Sequence, residues 1–172
     1  MRTLMSGEAW VAYGQIYVDS GSEQPELDEC FAGQANGLAG GAGPGFLFLI
    51  TGLHTGEVGF AVELHDQEPP VAAEWEEVVE VSYRPEGEAH LACWAAQDAW
   101  PLALEQRDYR ARYCATGMDR GAAQDTRTHD DPPADHYLLQ LWPSPPAPDR
   151  ILRQTSAIAA YWHACAAGYD AD

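Results

Sequence analysis

Apolar and polar residues alternate with a period of two over most of this chain, the period of half-buried β-strands. Residues 57–64 put Val58, Phe60, Val62 and Leu64 on one face and Glu57, Gly59, Ala61 and Glu63 on the other. Residues 76–83 repeat the pattern, with Val79, Val81 and Tyr83 inward and Glu76, Glu80 and Ser82 outward. Across the turn Pro85-Glu86-Gly87, residues 88–95 form the return strand, with Leu91 and Cys93 inward. Residues 109–116 place Tyr109, Ala111, Tyr113 and Ala115 on one face and Arg110 and Arg112 on the other. Residues 136–142 place Tyr137, Leu139 and Leu141 inward. The apolar run 46–51 reads as a further strand, the aromatic and β-branched stretch 9–18 as another, and 100–104 as a short one.

Between these segments lie breaks of several kinds. Pro69-Pro70 interrupts the chain, and a long connection over residues 20–45 ends in five glycines after Asn36. That connection is a crossover between sheets or a binding loop. Residues 119–135 are polar, carry Pro132-Pro133 and read as a mobile loop. Four prolines in 143–148 cannot continue a sheet. Asp149 then serves as an N-cap for a helix over 150–166, with Ile151, Leu152, Ile158, Tyr161, Trp162 and Cys165 on one stripe. The expected fold is one domain over residues 1–172. It is mainly all-β, an antiparallel β-sandwich of seven to eight strands, with 150–166 as a packed C-terminal α-helix closing a face or edge.

Composition agrees with a packed domain of this size: 172 residues, 46% hydrophobic and 21% charged. The charge changes the picture more. Nine basic residues, all arginine, face 27 acidic ones, for a net charge of −18. Such a chain is repelled by phosphate backbones and anionic membranes, so neither nucleic acid nor membrane is an expected partner. The N-terminus has no signal-peptide pattern, and no apolar run approaches a membrane span, so a cytoplasmic protein is expected. Cys30, Cys93, Cys114 and Cys165 form no CxxC pair and are read as reduced, with Cys93 and Cys114 as small core residues.

The chain contains no phosphate loop, dinucleotide fingerprint, zinc-protease motif or nucleophile elbow. No enzyme activity, cofactor or metal is expected. The glycines at 37, 40, 41, 43 and 45 are interrupted, and a strand follows them where a phosphate cradle needs a helix. The carboxylates are more informative. Glu74, Glu76, Glu77 and Glu80 crowd one strand, and Asp125, Asp130, Asp131 and Asp135 crowd one loop without calcium-loop spacing. They are either a solvated face or an anionic surface that docks a basic protein partner. The competing reading is a small-molecule-binding or catalytic β-sandwich, its pocket lined by Tyr13, Tyr17, His54 and Trp94. Trp94 shares parity with His90, which makes it either an exposed interface anchor or a residue under the C-terminal helix.

Three groups of strand residues carry a family resemblance. They are Tyr13-x-Gln15-Ile16-x-Val18; Val79-x-Val81-x-Tyr83 with Gly87 and the return strand to Cys93; and Leu102-x-Leu104 leading to Asp108-Tyr109 and Tyr113-Cys114. In this order, over residues 10–118, the chain resembles the competence protein J family, small inhibitors of a DNA-entry nuclease. It departs from the family pattern in a longer glycine-rich loop after the first strand and in the C-terminal helix. The resemblance implies a non-enzymatic β-sandwich that blocks a nuclease or toxin-like enzyme. Its carboxylates would imitate the phosphates a basic active site expects.

Overall fold

A computed structural model describes residues 1–21 and 23–168 of the protein. In chain order the strands are β1 (Arg2–Val11), β2 (Gln15–Asp19), β3 (Ala39–Gly40), β4 (Phe46–Ile50), β5 (Gly56–Leu64), β6 (Glu77–Tyr83), β7 (His90–Cys93), β8 (Ala99–Pro101), β9 (Tyr109–Thr116), β10 (His136–Pro143) and β11 (Arg150–Arg153). The helices are α1 (Leu27–Phe31), α2 (Met118–Gln124) and α3 (Ala157–Gly168). One sheet has the order β1-β5-β10-β9-β6-β11 and the other β3-β4-β2-β7-β8. The inward parity of the alternating segments holds. Val58, Val79, Tyr83, Leu91, Tyr113 and Leu139 are all buried in a single core that draws on both sheets. Tyr113 ties the sheets together by donating its hydroxyl to the Ile50 carbonyl at 3.0 Å. Its ring stacks on Tyr137, with centroids 5.5 Å apart.

The mainly all-β reading holds, with differences that matter for the site. The larger sheet is mixed, because β10 runs parallel to β5 from the His136–Gly59 pair to the Leu141–Leu64 pair. A parallel pair needs a long crossover, and β6 to β9 supply it. Residues 9–18 are two strands in different sheets, joined by a turn at Tyr13 and Gly14 (φ 57° and 63°). Two consecutive left-handed residues are the backbone of a type I′ hairpin turn.

The C-terminal segment also departs from expectation. Residues 150–153 form an edge strand antiparallel to β6, and the helix begins only at Ala157. Its N-terminus is capped by Ser156, whose hydroxyl accepts the Ala159 N–H, and by Asp119, which accepts the Ala157 and Ile158 N–H groups. Asp149 is no cap. Its carboxylate accepts the backbone N–H groups of Ala35 and Asn36 and fastens the glycine-rich connection. The helix packs on that connection: a Cβ at Gly37 would meet the Trp162 backbone, and the Gly37 N–H donates to His163 Nδ1 at 2.9 Å.

The segment 119–135 is not a loose loop. It contains most of α2, and its Arg127 is buried, donating to the carbonyls of Asp131 and Glu57 and to the Glu8 carboxylate.

Candidate functional site

The β1–β2 turn projects Tyr13 into solvent, where it is 59% exposed. Two backbone hydrogen bonds pin the turn: the Gly14 N–H donates to the His54 carbonyl, and the Thr51 N–H donates to the Gly14 carbonyl, both at 2.9 Å. These bonds bring the 51–55 loop alongside, and the His54 ring meets Tyr13 edge-on at 5.5 Å. From the other side comes Trp94, the residue after β7, 5.4 Å from Tyr13 and tilted by 57°. Trp94 stands on a turn closed by the Cys93 N–H donating to the Asp98 carbonyl at 2.9 Å. It is 39% exposed, beside Tyr13, which resolves the two positions left open for it. Thus three of the four residues of the pocket reading, Tyr13, His54 and Trp94, form one exposed cluster. The fourth, Tyr17, is buried in β2 against Phe46 and Phe48.

The backbone under this cluster is strained. Among the described residues, five that are not glycine have left-handed φ: Tyr13, Ala95, Ala96, Ala103 and Asp125. Four of these belong to the segments that build the cluster. Ala95 and Ala96 follow Trp94, and the Asp125 carbonyl accepts the N–H groups of both His54 and Thr55 at 3.0 Å. Each left-handed L-residue costs roughly 1–2 kcal/mol, so this conformation is imposed by its surroundings.

The eight carboxylates assigned to docking divide into two groups. Glu74, Asp125, Asp130 and Asp131 are exposed, and Glu76 is half-buried, accepting the Gly117 N–H. Glu77, Glu80 and Asp135 are fully buried and cannot belong to a docking surface as expected. Glu77 accepts the Thr155 and Ser156 N–H groups and holds the approach to α3. Glu80 accepts Nε of Arg110 and of Arg112 at 3.1 and 2.9 Å, and Arg150 at 2.5 Å. Burial works against its charge, but the hydrogen bonds from Arg150, Arg112 and Arg110 prevail and hold its carboxyl below the usual glutamate range. Asp135 accepts the Leu53 N–H at 2.9 Å and the Tyr137 hydroxyl on Oδ2, while its Oδ1 has no partner. Burial therefore pushes its carboxyl up.

Other chemistry finds little support in the geometry. Burial raises the Cys30 and Cys114 thiols to about 12 and the Cys93 thiol to about 11, which makes them unreactive core residues. Among the described residues, no three His, Cys, Asp or Glu side chains gather as metal ligands, and no helix is long and apolar enough to cross a membrane. The glycine-rich segment 41–45 lines an open groove of about 640 Å³. The groove's guanidinium, Arg84, is already paired with Asp108 at 3.2 Å.

Sequence reasoning did not find Asp98 or the link between His54 and Asp125, both of which are contacts between distant segments. The left-handed Tyr13 had one signal, the Tyr-Gly pair in mid-alternation.

No model of a known protein family matches the chain, and no curated protein matches it. Two solved structures match the chain. One is ComJ from Bacillus subtilis, an inhibitor of the DNA degrading activity of NucA. It aligns over 83% of this chain and 98% of its own, with a TM-score of 0.55 and 16% sequence identity. The other is the product of crocagin biosynthetic gene J, aligned over 84% of this chain and 99% of its own, with a TM-score of 0.48 and 15% identity. The resemblance carried by the strand motifs is thus present as a likeness of fold to ComJ.

Proposed function

We propose that this protein is a non-enzymatic binding protein that inhibits a nuclease or toxin-like enzyme by docking an anionic surface on a basic partner. The observation that carries this reading is a fold shared with an inhibitor of DNA degradation, combined with a net charge of −18. A nuclease active site is built to attract phosphates. Exposed Glu74, with half-buried Glu76 two residues on, and exposed Asp125, Asp130 and Asp131 offer it carboxylates instead. Inhibition is then steric, and the charge mainly accelerates encounter, an effect that salt screens. The same charge keeps the protein itself off DNA.

The pocket reading is less well supported, since Tyr17 is buried against Phe46 and Phe48 while Tyr13, His54 and Trp94 meet at the surface. The test mixes the protein with the nuclease encoded nearest to it and follows DNA cleavage against protein dose. Dose-dependent loss of cleavage that weakens with salt is expected. Undiminished cleavage at micromolar excess of the protein overturns the proposal.

A further inference from the structure

We infer that the Tyr13–His54–Trp94 cluster is the anchor of the interface, and that it receives an arginine or lysine side chain of the protein partner. This rests on the reading of the chain as a binder of a basic protein. Three observations carry it. Two large aromatic rings stand 59% and 39% exposed in mutual contact, and tyrosine and tryptophan are the residues that dominate binding hot spots. Backbone strain is concentrated around the cluster, at Tyr13, at Ala95 and Ala96 after Trp94, and at Asp125, whose carbonyl holds the His54 loop. Folding alone does not call for a tyrosine in a turn position that Asn, Asp or Gly fills without cost. Strain of this kind gathers where a surface has a task.

The third observation is charge, and it names the occupant. Segments 12–15, 51–55 and 93–98 contain no arginine or lysine. Exposed Asp98 closes the Trp94 turn through its carbonyl, and exposed Asp125 holds the His54 loop through its own. Aromatic faces in a chain of net charge −18, with no basic residue in their own segments, suit a cation, which the ring quadrupole attracts. A guanidinium fits best, since it stacks on rings.

The test has two arms. In the first, the full chain is titrated with hexa-arginine, with a glycine–serine peptide as control, while backbone amide resonances are followed. The largest shift changes should fall at Tyr13, His54, Trp94 and their neighbours. They should vanish in Tyr13→Asn/Trp94→Ala, which keeps the wild-type melting temperature. Tyr13→Asn alone, which tolerates the left-handed turn, serves if the double variant is unstable, and should lose most of the effect. No response at millimolar peptide, responses confined to Glu74 and to residues 130 and 131, or an unaltered response in the variant overturns the inference.

In the second arm the neighbouring nuclease is the probe, and the variant should lose inhibition by about 30-fold or more, as a hot-spot truncation does. Wild-type inhibition matched by the variant refutes the anchor and leaves the inhibitor reading standing. Peptide binding at the cluster without inhibition of that nuclease supports the cation anchor and counts against the nuclease as partner.

Discussion

Glu80 stands directly opposite Arg112 in the β6–β9 ladder, and its Oε1 accepts Arg112 Nε at 2.9 Å with both side chains closed to solvent. Arg110 and Arg150 complete the shell around the same carboxylate. Arg112 also donates to the Pro69 carbonyl and lies 4.9 Å from the Trp142 ring centroid. In a chain of net charge −18, three of the nine arginines converge on one glutamate. This holds the segments around residues 69 and 147–150 against the outer face of the sheet.

Removing that one charge should be costly. Glu80→Gln leaves the buried Arg110 and Arg112 facing a neutral amide, and breaking a buried pair from one side costs about 3–5 kcal/mol. Urea unfolding at pH 7 measures it. A loss below about 1 kcal/mol would show that the network contributes little.

The two perturbed buried carboxylates predict opposite responses to pH. The folded pKa of Glu80 is depressed, so its stabilisation is complete above the unfolded glutamate value of about 4.3 and is lost as pH falls through the lower folded value. The deficit of Glu80→Gln should therefore shrink as pH falls below about 4. For Asp135 the folded pKa is raised, so its contribution is greatest below the unfolded aspartate value of about 3.9 and is lost as pH rises through the folded one. Asp135→Asn should accordingly gain stability relative to wild type between pH 4 and pH 8. Unfolding midpoints of the three proteins from about pH 2 to pH 8 check both signs.

Much of this arrangement can be read from the chain. Alternation alone places Glu80, Arg110 and Arg112 on outward positions and Val79, Val81 and Tyr113 on inward ones. What it lacks is register: residue 80 finds residue 112 only through pairing of strands about 30 positions apart, so the acidic strand reads as a solvated face. The Tyr13 turn is hidden because alternation runs on through it from β1 into β2. Ile151 and Leu152 suit a helix stripe as well as a strand, and the open edge of β6 decides for the strand. Of the candidate site, the three ring residues are legible as types. Their meeting depends on backbone bonds between residues 14, 51 and 54, and the strain beneath them leaves almost no trace in sequence.

The junction between the sheets gives a graded test. Leu139→Ala, at a fully buried position, should cost about 2–5 kcal/mol. Tyr113→Phe removes only the hydroxyl that donates to the Ile50 carbonyl and should cost about 1 kcal/mol. Equal losses in the two variants would contradict the placement of the Tyr113 hydroxyl.

Truncation after Pro148 removes β11 and α3 together. It strips the β6 edge of its partner and takes Arg150 from Glu80. An uncovered edge strand is a template for pairing with other chains. The truncated protein should associate or precipitate, as seen by size-exclusion chromatography with light scattering. A monomeric truncation of unchanged stability would contradict this role for the C-terminal segment.

The central claim is that an exposed anionic surface blocks a basic enzyme. It is tested most directly by DNA cleavage with the nearest-encoded nuclease, titrated with wild-type protein and with a variant in which Glu74, Asp130 and Asp131 become arginine. All three are exposed, so the reversal should leave the fold intact. The account predicts stoichiometric inhibition by the wild type. The variant should inhibit weakly, chiefly through slower association, and the gap should narrow as salt rises. Undiminished cleavage with the wild type, or full inhibition by the reversed variant, would contradict it.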